Sequence, residues 1–195
     1  MILSKEAEAF MSEIIRLYHT GFSEIRNPDI RYGRKNADFG QGFYTSQNSE
    51  FSKRWARFRK GEDTILNVYD LDLSDLSVHH FDRDLSWFEY IDANRNRKPD
   101  LLEADVIIGP IANDTIYDTL GITTSGFLSK EQSLKLLMIG PVYEQIVIKS
   151  EKARANLKWI SSEVLTPDLI AEYRDTVKKE EEEFQKKFAE VLSEI

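Results

Sequence analysis

Residues 38–46 read Asp38-Phe39-Gly40-Gln41-Gly42-Phe43-Tyr44-Thr45-Ser46. Two glycines punctuate a loop, and the aromatic pair after them predicts a short strand over Phe43–Thr45. The loop is only Gly-x-Gly. No third glycine and no long helix follow, so the dinucleotide fingerprint of a doubly wound sheet is absent. Towards the N-terminus, residues 4–13 predict a short helix and residues 14–19 (IIRLYH) a strand ended by Thr20-Gly21. Asn27-Pro28-Asp29 is turn chemistry. On the other side, a helix capped near Ser49 is expected to carry Phe51, Trp55 and Phe58 on one face. Thr64–Asp72 alternates like a strand. Asp84 is placed to cap a helix through Trp87, Phe88 and Ile91. Residues 104–109 (ADVIIG) form an apolar run typical of a buried strand. Ser129-Lys130-Glu131-Gln132 is a capping-box sequence opening a helix to about Met138, and residues 143–149 (YEQIVIK) predict another strand. Strands and helices intersperse without strict βαβ alternation, which predicts an α+β fold.

Thr166-Pro167 starts a long helix with threonine as cap and proline in the first turn. Its apolar stripe is Ile170, Tyr173, Val177, Phe184, Phe188, Val191 and Ile195, with Glu180 to Glu183 on or beside the polar side. The expected organisation is one domain over residues 1–162 and a helical extension over 163–195. That extension either packs on the domain or serves as a partner or dimer interface.

The 195 residues carry a net charge of −8 and include no cysteine. Disulfides, thiolate metal sites and cysteine nucleophiles are therefore excluded, and a reducing compartment fits. No apolar run reaches the ~18–20 residues of a membrane span. The N-terminus lacks the basic and long apolar regions of a secretory signal. A cytoplasmic protein that does not engage membranes is expected. The charge is uneven: Lys53, Arg54, Arg57, Arg59 and Lys60 cluster, as do Arg95, Arg97 and Lys98. Such clusters are either solvated faces or contacts to a pyrophosphate or nucleic acid. There is no GxxxxGK[ST] and no HExxH. Three histidines without cysteine make a zinc site improbable. His79-His80-Phe81-Asp82 has metal-capable groups, but adjacent strand residues point apart.

Two segments remain that can carry chemistry: residues 17–21 (LYHTG) and residues 38–46. Alone, His19 reads as a hydrogen-bonded structural residue and Tyr44 as core. As a pair they offer an imidazole beside approachable backbone and an aromatic face on which a planar cationic ring could stack.

These segments resemble ADP-ribosyltransferase-like proteins of the His-Tyr-Glu group, with the diphtheria-toxin and PARP type of site. Within that group the chain is most similar to an uncharacterised bacterial domain family marked by YHGS, DFGxGFYTT, GP[IV]AND and QIxFxT. The corresponding residues here are 18–21 (YHTG), 38–46 (DFGQGFYTS), 109–114 (GPIAND) and 145–150 (QIVIKS), and the resemblance spans about residues 16–160. Thr20 stands between His19 and Gly21, where PARP-type sites have His-Gly directly. The resemblance implies a split β-sheet core flanked by helices and NAD as substrate, without a metal. It implies that His19 bonds the adenosine ribose, that backbone at Thr20, Gly21 and Gly42 approaches the ligand, and that Tyr44 stacks on nicotinamide. Offsets of eight and eleven from Tyr44 reach Ser52, to bind the amide, and Trp55, to close over the ring. Trp55 reads equally as part of the Phe51/Trp55/Phe58 core stripe.

The third catalytic position falls on Glu144 or Gln145. The group's E-x-I-V strand aligns Glu144, whereas the bacterial family emphasises a glutamine, which is Gln145. Neighbours on a strand face opposite sides, so one of them enters the site, and Gln145 is favoured. Asn113 and Asp114 either assist from a loop or form a turn with a helix cap. The implied reaction is dissociative mono-ADP-ribosyl transfer to a protein or nucleic-acid acceptor, in a toxin-like enzyme with a cognate inhibitor. Alternatives are a non-catalytic binding module of the same fold and a nucleic-acid-directed enzyme using the Lys53 to Lys60 cluster.

Overall fold

The computed structural model describes residues 13–116 and 126–195. The helix expected over residues 4–13 lies almost wholly outside them. The elements in chain order are β1 (Ile14–Gly21), β2 (Phe43–Thr45), α1 (Ser49–Lys53), β3 (Thr64–Asp72), β4 (Val78–His80), α2 (Leu85–Arg95) and β5 (Val106–Pro110). Then follow α3 (Asn113–Ile116), α4 (Lys130–Leu137), β6 (Glu144–Ile148), α5 (Glu151–Ala155), β7 (Leu157–Leu165) and α6 (Pro167–Ser193). The architecture is α+β with two sheets and a long C-terminal helix. No helix among the described residues is long and apolar enough to cross a membrane.

One sheet has the order β1-β3-β7, all antiparallel. The other has the order β2-β6-β5-β4, with only the β4–β5 pair parallel. A bridge between Tyr18 and Ser46 joins them, with N–H to O=C distances of 2.8 and 3.0 Å in the two directions. Beside that bridge, Tyr18 to Thr20 of the first sheet and Tyr44 to Ser46 at the second border one gap between the sheets.

Strand alternation sets the two faces of the second sheet. Ile146 and Ile148 meet Leu17, Tyr69 and Leu71 of the first sheet. Val147 and Ile107 face the other way, onto Trp87, Phe88 and Ile91 of α2 and Leu137 of α4. Both faces are covered, which explains why β5 reads as an unbroken apolar run. By parity Gln145 shares the face of Val147.

The helix caps follow the sequence. Asp84 accepts from Trp87 N, Ser129 and Gln132 form a complete capping box, and Thr166 accepts from Leu169 N. Helix α6 packs on the domain. Ile170 joins Ala56, Leu66 and Leu165, and Phe184 and Phe188 join Leu136 and Ile139. Glu180 is partly buried in an ion pair with Arg54.

Three local expectations change. Helix α1 ends at Lys53, so Phe51, Trp55 and Phe58 do not form a stripe: Phe51 is buried, and Phe58 is 66% exposed. The chain leaves the helix because Arg57 and Thr64 bond carbonyls in the 54–57 segment, and a turn at Gly61 then leads into β3. The Lys53 to Lys60 cluster is largely neutralised internally, through Lys53–Glu50, Arg54–Glu180 and Arg59–Glu62. Strand β7 was not expected from the pattern. It pairs along β3 and runs through residues 163–165, so sheet residues extend past position 162.

Helix α2 ends in a Schellman motif. Lys98 N bonds Ala93 O, Arg97 N bonds Asn94 O, and Arg97 sits at φ 57°. Glycine normally takes that place. A side chain there costs about 1–2 kcal/mol.

Candidate functional site

The gap between the sheets forms a cleft of about 380 Å³. It holds His19, Tyr44 and Gln145 together, with Thr20, Ser52 and Trp55 on its lining. Each arrives for a local reason.

His19 stands in β1 opposite Asn67, and the strand continues in register through Thr20 and Gly21 instead of ending at His19. Its Nδ1 lies 2.7 Å from the Tyr44 carbonyl oxygen. A carbonyl can only accept, so Nδ1 carries the proton and Nε2 presents a lone pair. The ring also rests on Phe43, with centroids 4.6 Å apart. Desolvation lowers the His19 pKa, and the Tyr44 carbonyl only partly opposes this. The imidazole is therefore a neutral hydrogen-bond acceptor. The folded pKa lies below the ordinary 6.5, so the unfolded chain takes up the proton more readily. His19 thus contributes stability above about pH 6.5, and that contribution fades as pH falls towards the folded value. In urea titrations the wild type is expected to lose stability between pH 7 and 5 more steeply than His19→Gln. Parallel losses in the two proteins would remove His19 as the cause.

Tyr44 is held through its hydroxyl, which donates to Gly40 O at 2.7 Å and accepts from Phe39 N at 3.0 Å. Gly40 is required there. It sits at φ 70°, and a Cβ would come within 2.9 Å of Asn94 Oδ1. Burial, with the nearby Asp38 carboxylate second, raises the phenol pKa, so the hydroxyl stays protonated. The ring is thereby fixed between the glycine loop and the cleft. Tyr44→Phe keeps the ring and strands the Gly40 and Phe39 groups. It is expected to cost about 1–3 kcal/mol in urea melts. A change below a few tenths would show that the hydroxyl does not hold the loop.

Gln145 is buried and faces the cleft, whereas Glu144, one residue earlier, is exposed. Ser52 is buried, and its hydroxyl donates to Tyr18 O at 3.1 Å. Trp55 stands just past the end of α1, in a turn at the edge of the cleft, so it does not share a helix face with Ser52. Thr20 Oγ1 is buried without a hydrogen-bond partner.

The remaining expected residues stand elsewhere. Gly21 pairs with Ile65 in the first sheet, outside the lining. Gly42 allows β2 to approach β6, since a Cβ would come within 2.6 Å of Val147 Cγ1. Asn113 opens α3 and clamps the loop after α4, donating to Ile139 O at 2.7 Å and Pro141 O at 3.0 Å. It is a structural clamp off the cleft. The Asp114 side chain is outside the described residues. His79 packs on Phe81, and no group of three metal-capable side chains occurs among the described residues.

A further wall of the cleft has no local signal in the sequence. Asp38 and Arg95, each 7% exposed at the side chain, form an ion pair at 2.8 Å. Arg95 also donates to Thr115 Oγ1 at 2.7 Å, and the Ala112 N–H reaches the Asp38 carboxylate at 3.3 Å. This group ties the glycine loop to α2 and α3. Arg34 and Asn36 continue the wall outwards.

A family model described as protein of unknown function (DUF3990) matches residues 15–159, a span that includes His19, Tyr44 and Gln145. No curated protein matches the chain. No solved structure matches it either. The chain belongs to the DUF3990 family.

Proposed function

We propose that the protein is an NAD-dependent mono-ADP-ribosyltransferase that releases nicotinamide and passes ADP-ribose to a macromolecule. The observation behind this reading is the meeting of His19, Tyr44 and Gln145 in one cleft, drawn from three strands far apart in sequence. The cleft volume lies within the usual range for small-molecule sites. Nε2 of His19 suits a ribose hydroxyl as donor. The Tyr44 face suits the nicotinamide ring, whose positive charge favours an aromatic partner. Gln145 lines the same cleft, and its amide oxygen is assigned to orienting the nicotinamide ribose.

In this reading catalysis is positional and electrostatic. The bond from C1′ of the ribose to nicotinamide breaks, its electron pair leaves with neutral nicotinamide, and an acceptor nucleophile bonds C1′. The test is to incubate the full chain with NAD and candidate acceptors, following nicotinamide release and NAD binding together. Release that His19→Ala and Tyr44→Ala abolish is the expected result. Absence of both binding and release would overturn the reading.

One observation favours a second reading. The cleft presents the amide of Gln145, and the neighbouring carboxylate of Glu144 is turned out to solvent. A module that binds NAD with little turnover would show binding without release.

A further inference from the structure

A second groove, of about 550 Å³, adjoins the cleft and shares Arg34 and Asn36 with it. Its lining includes Arg34, Lys35, Arg97, Lys98 and Lys149 against one carboxylate, Asp100. Lys149 is engaged by Asp100 at 3.0 Å and by Phe39 O, and Lys98 has only a 3.8 Å contact to Asp92. Arg34, Lys35 and Arg97 are exposed and form no ion pair among the described residues. The chain has a net charge of −8, and three of the five cations in its other basic cluster are paired with carboxylates, so three cations without a carboxylate partner in one groove stand out.

Two further features, one in the groove and one two residues from it in sequence, bear on what it takes. Arg97 occupies a left-handed position that glycine would take without strain, so the charge is kept there against backbone preference. Tyr32, two residues before Arg34, is 94% exposed. Cations along a groove, with an exposed aromatic ring two residues before its Arg34, suit a phosphodiester strand with a base to stack.

We propose that this groove binds single-stranded nucleic acid by its phosphates and leads a base past Arg34 into the cleft. That the strand is the ADP-ribose acceptor rests on the transfer reading above; the binding itself does not. In that transfer a base nitrogen bonds C1′ as nicotinamide departs, and its proton passes to water.

The test uses the full chain and fluorescein-labelled oligo(dT) and oligo(rU) of about 15 nucleotides, read by anisotropy across salt concentrations. Wild type is expected to bind with affinity that falls as salt rises. The variant Lys35→Glu/Arg97→Gly/Lys98→Glu is expected to bind about tenfold or more weakly, with a log–log salt slope smaller by about 2. Its NAD binding should be unchanged, since none of the three residues lines the cleft. Lys35→Ala/Lys98→Ala, at two exposed positions, gives the same comparison should the triple variant fold poorly. Equal oligonucleotide binding by wild type and variant overturns the proposal. So does equal competition by polyglutamate of matched charge, which would mark an acidic protein as the partner. Loss of NAD binding in the variant overturns it too, and assigns the groove to the NAD pyrophosphate. Oligonucleotide bound in the groove by a wild type that does not bind NAD leaves the proposal standing and removes the transfer reading.

Discussion

Asp38→Ala is expected to destabilise the fold by about 3–5 kcal/mol, because it strips the carboxylate from an arginine held out of water. Both side chains of the Asp38–Arg95 pair are 7% exposed, and the carboxylate also takes the Ala112 N–H. Against a total stability of roughly 5–15 kcal/mol, this is a large fraction. The loss should appear as a lower urea midpoint with little change in slope. The companion variant Asp38→Ala/Arg95→Met removes both charges and keeps most of the arginine stem volume. It should recover a large part of the loss, since replacing a whole buried pair with apolar groups is often neutral. A cost below about 1 kcal/mol for Asp38→Ala, or a double variant no better than the single, would show that the pair does not hold the wall. The proposed NAD binding gives a second readout: Asp38→Ala should weaken it by releasing the glycine loop that holds the Tyr44 hydroxyl.

The pair also shows where sequence reasoning stops. Asp38 and Arg95 are 57 positions apart, and Thr115 lies a further 20 along the chain. No periodicity links such residues. In sequence Arg95 groups with Arg97 and Lys98, as one basic cluster. In the fold the end of α2 divides that cluster, turning Arg95 into the cleft wall and the other two outwards to the groove. Elements whose formation is decided locally were legible. The alternation of β3, the apolar run of β5 and the caps at Asp84, Ser129 and Thr166 all appear as expected. Strand β7 was not legible, because only Leu157 and Leu165 at its ends are buried, and a register shift at Val68/Tyr69 breaks its alternation. The face of β6 that meets the cleft was open in sequence and follows from parity. Val147 is in the core behind the cleft, so Gln145 turns inwards and Glu144 outwards.

Parity at that strand gives the second large effect. Gln145→Glu keeps the side-chain size and places a carboxylate where the cleft now offers an amide. In the proposed reaction positive charge builds on the ribose as nicotinamide leaves, and an oriented carboxylate stabilises that charge where an amide only orients. Nicotinamide release is therefore expected to rise by about 10²-fold, the scale on which single electrostatic contacts act in such sites. The site is 9% exposed, so burial raises the new carboxyl pKa above its ordinary value. Only the ionised form helps. The gain should thus be small at acidic pH, grow as pH rises through that elevated pKa, and then level off. A rate gain without that pH dependence would point to altered packing instead of charge. Glu144→Gln is the control, because an exposed carboxylate outside the cleft should leave release unchanged. Should Gln145→Glu bind NAD as tightly as wild type and release nicotinamide no faster at about pH 8, position 145 does not face the reacting ribose. Should Glu144→Gln abolish release instead, the strand presents its other side during turnover, and the assignment of Gln145 falls with it.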